Sequence, residues 1–164
     1  MYFNISFNVN SGSGGQSSNV TATYDSAMPT ISTTAPTRTG YTFMGWYDNS
    51  TYTSGTQYYT SSGASARTWN KASNTTLYAG WKANTYTVSF NVNGGSGGQS
   101  SNVTATYASN MPTISTTKPT RTGYTFMGWY ENATYTSGTQ YYTAAGASTR
   151  AWNKTSATTL YAGW

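Results

Sequence analysis

The chain has 164 residues, no cysteine and no histidine, and three acidic side chains against eight basic ones, a net charge of +5. That excludes a disulfide framework, thiol chemistry, imidazole acid–base catalysis and most metal centres. Charged residues are only 7% of the chain while aromatic residues are 16%, with 16 Tyr and 6 Trp. Rings that each bury roughly 150–250 Å² can supply the core that two leucines cannot, so the chain reads as folded rather than disordered.

Shifted by 83 residues, the chain matches itself without a gap: Phe7 falls on Phe90, Trp46 on Trp129, Arg67 on Arg150 and Trp81 on Trp164. The folding unit is therefore about half the chain, giving modules 1–82 and 83–164. Differences between the copies fall mostly among small polar residues, such as Asp25/Ala108, Ala35/Lys118 and Ser61/Ala144, while large apolar positions keep their character, as in Ile5/Val88. This is the pattern of a packed interior under a tolerant exterior.

In chain order, Phe3, Ile5, Phe7 and Val9 alternate with polar residues, as do Tyr86, Val88, Phe90 and Val92, and predict a half-buried strand. A Gly/Ser loop follows (Gly94 to Ser101), and Val103–Tyr107 predicts a second strand closing a hairpin. Met111 to Thr120 is a crossing segment punctuated by two prolines, with room for a helical turn but not a long helix. Tyr124–Tyr130 predicts a third strand, in which Gly128 marks a bulge that re-aims Trp129. Glu131 to Gly138 reads as turns, and Leu160–Trp164 closes the unit with Leu160, Ala162 and Trp164 on one face. Only Lys82, Ala83 and Asn84 lie between Trp81 and Thr85, too few for a loose tether, so the copies are expected to stand close together, end to end.

Gly123-Tyr-Thr-Phe-Met-Gly-Trp-Tyr130, Thr159-Leu-Tyr-Ala-Gly-Trp164 and Tyr86 to Gly95, each repeated in the first copy, resemble the Listeria–Bacteroides repeat of internalin-like proteins. The resemblance implies a β-rich α+β fold, two tandem β-grasp (ubiquitin-like) modules with little helix. It implies a repeat of bacterial cell-surface proteins and adhesins, extracellular and anchored by segments outside this stretch, with no catalytic residues to transfer. The stretch 137–154 looks longer than in the internalin version.

The residues support the same expectation of a non-enzymatic protein without cofactor or metal. Only the acid at Asp48/Glu131 recurs, and one carboxylate per module makes neither a glycosidase pair nor a calcium cage. Ser115-Thr-Thr-Lys118 resembles a Ser-x-x-Lys nucleophile, but Ala35 replaces the lysine in the first copy. Gly12-Ser-Gly-Gly-Gln-Ser lacks the rest of a phosphate-binding motif and reads as a hairpin tip. A Lys–Asn isopeptide crosslink would need its partners buried together, whereas Asp48/Glu131 sits in a polar context. The best ligand candidate is Arg67, Trp69 and Lys71 with their repeats Arg150, Trp152 and Lys154: an exposed Trp between cations could stack on a sugar or hold an anion. Alternatively the two Trp rings cap the core and the cations cover them.

No stretch is long and apolar enough to span a bilayer. The dilute positive charge argues against nucleic acid and permits contact with a cell-wall polyanion or glycan. The sequence therefore predicts a monomeric structural spacer, partnered by neighbouring repeats of its own chain. The alternatives are a carbohydrate- or host-ligand-binding repeat acting by avidity and a homophilic module associating through strand edges.

Overall fold

A computed structural model describes all residues 1–164. The chain divides into two compact units, Met1–Lys82 and Ala83–Trp164. The first contains β1 (Tyr2–Asn8), β2 (Val20–Thr23), β3 (Tyr41–Tyr47), β4 (Gln57–Thr60) and β5 (Thr75–Ala83). The second contains β6 (Thr85–Asn91), β7 (Val103–Thr106), β8 (Gly128–Tyr130), β9 (Gln140–Thr143) and β10 (Thr158–Gly163). Each unit forms one five-stranded sheet, in the order β2-β1-β5-β3-β4 and β7-β6-β10-β8-β9, curled into a half-barrel.

The alternating residues of β1 explain the sheet's centre. Phe3 and Ile5 turn inward and are buried, while β2 pairs antiparallel on one side, from Tyr2↔Thr23 to Ile5↔Val20. On the other side β5 runs parallel, from Ile5↔Thr75 to Asn8↔Tyr78, and Ser6 and Thr76 share a side-chain hydrogen bond of 2.7 Å. In the second unit β10 lies parallel to β6 and antiparallel to β8.

The structure departs from the α+β β-grasp expectation. Neither unit contains a helix, and the fold is all-β. The crossing segment between β2 and β3, where a helix would have to form, is irregular chain pinned by side chains. The Gln16 carbonyl accepts from the Ser32 amide at 2.8 Å, the Ser65 hydroxyl accepts from the Met28 amide at 2.9 Å, and Tyr59 donates its hydroxyl to the Pro29 carbonyl at 2.7 Å. Pro29 and Pro36 remove the amides a helix would need, and the remaining backbone groups find these local partners instead. Met28 and Ile31 still reach the core from this segment.

Aromatic rings fill each interior. Phe7 meets Trp46 edge-on at 5.0 Å, Phe43 meets Trp46 at 5.5 Å and Trp81 at 5.6 Å, and Tyr58 meets Trp69 at 5.1 Å. The second unit repeats the arrangement, with Phe90 and Trp129 also at 5.0 Å. By area, each fully buried ring contributes on the order of 4–6 kcal/mol of gross transfer free energy. Aromatic packing thus replaces the missing aliphatics.

A bulge sets which tyrosines face inward. Trp46 pairs with Tyr59 but Tyr47 pairs with Gln57, leaving Tyr58 as the extra residue on β4. Both Tyr58 and Tyr59 are consequently buried, which simple alternation forbids. The irregularity anticipated at Gly128 is present, but it re-aims Tyr141 on the facing strand rather than Trp129. Gly45 and Gly128, with φ of 123° and 124°, let the two strands approach.

Candidate functional site

The residues singled out by sequence lie on the segment between β4 and β5 and its counterpart in the second unit. Bridges Ala27↔Thr68 and Tyr24↔Trp69 hold this segment against the chain that follows β2. The Asp25 amide donates to the Trp69 carbonyl and the Trp69 amide to the Ser26 carbonyl, both at 2.9 Å. These bonds fix the backbone so that Trp69 points into the core.

Trp69 and Trp152 are 0% exposed. Neither ring face is open to a sugar or an anion, and the indole Nε1 of each has no hydrogen-bond partner. Trp69 packs on Tyr58, whose hydroxyl donates to Asn70 at 2.6 Å, and the Arg67 guanidinium stands over the same tyrosine at 5.6 Å. Arg150 stands over Tyr141 in the same way, at 5.7 Å. The rings therefore belong to the core, and the cations cover it.

Lys71 and Lys154 are ion-paired. Lys71 Nζ lies 3.0 Å from Asp48 and Lys154 Nζ 2.6 Å from Glu131. Burial disfavours the charged form of Asp48, yet the Thr56 amide at 2.7 Å and Lys71 outweigh it and hold the carboxyl below its ordinary value. Glu131 is lowered chiefly by Lys154 and then by Thr139. Each lysine is raised in turn by its carboxylate partner. Asp48 and Glu131 thus fasten the loop before β4 or β9 to the segment carrying the Trp.

Sequence reasoning missed a concave feature elsewhere. An open recess of about 520 Å³ in the first unit is lined by Ser11, Gly12, Ser13, Thr37, Arg38, Thr39 and Tyr41. The hairpin tip after β1 forms one wall. Gly12 sits so close to the Trp81 indole that a Cβ there would lie 2.4 Å from Cζ2, and Trp81 Nε1 donates to the Val9 carbonyl at 3.0 Å. Asn10 secures the same tip, donating its side-chain amide to the carbonyls of Ser50 at 2.8 Å and Ala79 at 3.0 Å. Ser13 and Thr37 exchange two backbone hydrogen bonds of 2.9 Å. Across the recess, the Arg38 guanidinium lies 4.0 Å from the centre of the Tyr41 ring.

The second unit rebuilds these elements. Arg121 lies 3.9 Å over Tyr124, Ser96 and Thr120 exchange the equivalent backbone bonds, and Trp164 donates to the Val92 carbonyl. The sequence signal was the pair of strings Thr-Arg-Thr-Gly-Tyr at 37–41 and 120–124, unchanged between copies although Ala35/Lys118 beside them differ.

Among known families, the Listeria-Bacteroides repeat domain matches residues 3–80 and again residues 86–163. A protein of Evansella cellulosilytica named "Putative membrane protein" is 34% identical over 134 residues, 82% of this chain and 18% of that protein. A "Putative Gly-rich membrane protein" of the same organism is 36% identical, over 79% of this chain and 13% of that protein. Internalin H of Listeria monocytogenes is 39% identical over 101 residues, 62% of this chain and 16% of its own length. The chain thus spans less than a fifth of each relative. No solved structure matches it significantly.

Proposed function

The chain belongs to the Listeria-Bacteroides repeat family, and we propose that it acts as a structural spacer in a bacterial cell-surface protein, holding another domain away from the cell. The observation that carries this reading is the self-sufficiency of each copy. Both units build a full five-stranded sheet around their own aromatic core. One residue, Asn84, separates the last strand of the first from the first strand of the second. Units that each enclose their own core can be added or removed singly, which is what a length-setting element requires. The relatives fit the reading, since this chain matches only a small part of much longer proteins.

The absence of any paired carboxylate or imidazole in the sequence favours a non-enzymatic role. Edge-to-edge self-association is disfavoured by the short edge strands. β2 and β4 have four residues each, and the chain after β4 folds back on its outer edge, with Ala66 donating to the Tyr58 carbonyl at 2.9 Å. The test is to vary the copy number in the parent protein. Reach above the cell surface, read by atomic force microscopy, should change in proportion, while ligand affinity of the remaining domains stays constant. Constant reach, or affinity of those remaining domains for their own ligands that tracks copy number, would overturn the spacer reading.

A further inference from the structure

We propose that the recess lined by Arg38, and the equivalent surface around Arg121, binds a carboxylate-bearing saccharide of the uronic acid type. The two ion pairs of the protein use Lys71 with Asp48 and Lys154 with Glu131. Arg38 makes neither, and its guanidinium lies on the Tyr41 ring. Arg121 differs only by a long contact of 3.5 Å to the Asn93 carbonyl. A guanidinium lying on an aromatic face is held by the ring quadrupole while its in-plane N–H donors stay free. That fork matches a carboxylate in bidentate fashion.

The remaining lining selects among carboxylates. Ser11, Ser13, Thr37 and Thr39 bring four hydroxyls to the recess, and no lining residue is acidic. Ser11, Ser13, Thr37 and Thr39 are all exposed, so they can exchange hydrogen bonds with the hydroxyls of a pyranose. A volume of about 520 Å³ lies within the range of small-ligand sites. The walls are set before any ligand arrives. Asn10 ties the hairpin tip to β5, Trp81 supports it from below, and the Ser13–Thr37 bonds join it to the Arg38 loop. Such preorganisation reduces the ordering cost of binding. The second unit repeats the Arg–Tyr pair and three of the four hydroxyls, as Ser96, Thr120 and Thr122, with Gly94 in place of Ser11, so a polymer of acidic sugars would gain by avidity.

The test is an amide NMR titration of the full 164-residue chain with oligogalacturonate. Equal-length neutral malto-oligosaccharide and oligoglutamate serve as comparators. Oligogalacturonate should give saturable shifts confined to residues 11–13, 37–41, 94–96 and 120–124, and the comparators should not. R38Q/R121Q should weaken binding by at least about tenfold with an unchanged melting temperature. R38K/R121K should weaken it similarly, since lysine keeps the charge but lacks the fork. No saturable shift at these residues, equal binding of either comparator, or unaltered affinity in both variants would overturn the proposal.

Discussion

Replacing Gly45 by alanine should unfold one unit well before the other. A Cβ at Gly45 would lie 2.3 Å from the Tyr59 carbonyl oxygen and 2.5 Å from Gln57 Nε2, at a φ of 123°. The backbone conformation alone costs an alanine about 1–3 kcal/mol. β4 must also move away, which breaks the Gln57 Nε2 donation to the Met44 carbonyl at 2.9 Å, at about 1 kcal/mol or more. The total is on the order of 2–4 kcal/mol, a large share of the ~4–12 kcal/mol typical for a domain of this size. It corresponds to a fall in melting temperature of roughly 8–30 °C. In scanning calorimetry of the full chain, Gly45→Ala should therefore split a single endotherm into two. The upper one should keep the original midpoint, because the second unit's core contains no residue of the first. Adding Gly128→Ala should merge the endotherms again at the lower temperature. A single transition within a few degrees of the parent would refute both the close approach at Gly45 and the independence of the units.

Trp69→Ala should destabilise the first unit by about 3–5 kcal/mol, seen as lowered thermal stability of that unit, since its ring is wholly interior. Trp69→Phe should cost much less, because it also removes an indole N–H that has no partner. Asp48 and Glu131 ionise more readily folded than unfolded. Their contribution is present above the ordinary carboxylate range, is lost as pH falls through the lowered folded values, and should shrink in a Lys71→Met/Lys154→Met variant followed by urea titration, the Thr56 and Thr139 hydrogen bonds remaining. Burial pushes the phenols of Tyr59 and Tyr142 far above their ordinary value. The stability they confer is full below about pH 10 and falls as pH rises further, so some phenolate absorbance should appear only together with alkaline unfolding.

Much of the scaffold could be read directly from residues. The alternation of Phe3, Ile5 and Phe7 located β1 and its hairpin partner, and the near-identity of the halves located the units. The stretch Gln57–Thr60 escaped because the bulge at Tyr58 turns two successive tyrosines inward, and a period-of-two reading has no place for that. The helix implied by family resemblance failed at a segment whose amides are taken by Gln16, Ser65 and backbone turns. Trp69 drew attention because cations flank it in sequence, but flanking positions do not report depth. The recess beneath Arg38 was invisible for the opposite reason. Its two walls, 11–13 and 37–41, are separated along the chain and built from common polar residues that only folding assembles.

The parallel pairing of β1 with β5 has a mechanical consequence. These are the first and last strands of a unit, adjacent and pointing the same way. A pull applied to the ends of one unit would slide the two strands past each other lengthwise. Their hydrogen bonds would then be loaded together in shear rather than unzipped one at a time. The Trp81 indole, anchored to Val9 across the same pair, adds a lock that must yield before the strands can part, so each repeat is arranged to bear tension without paying out slack.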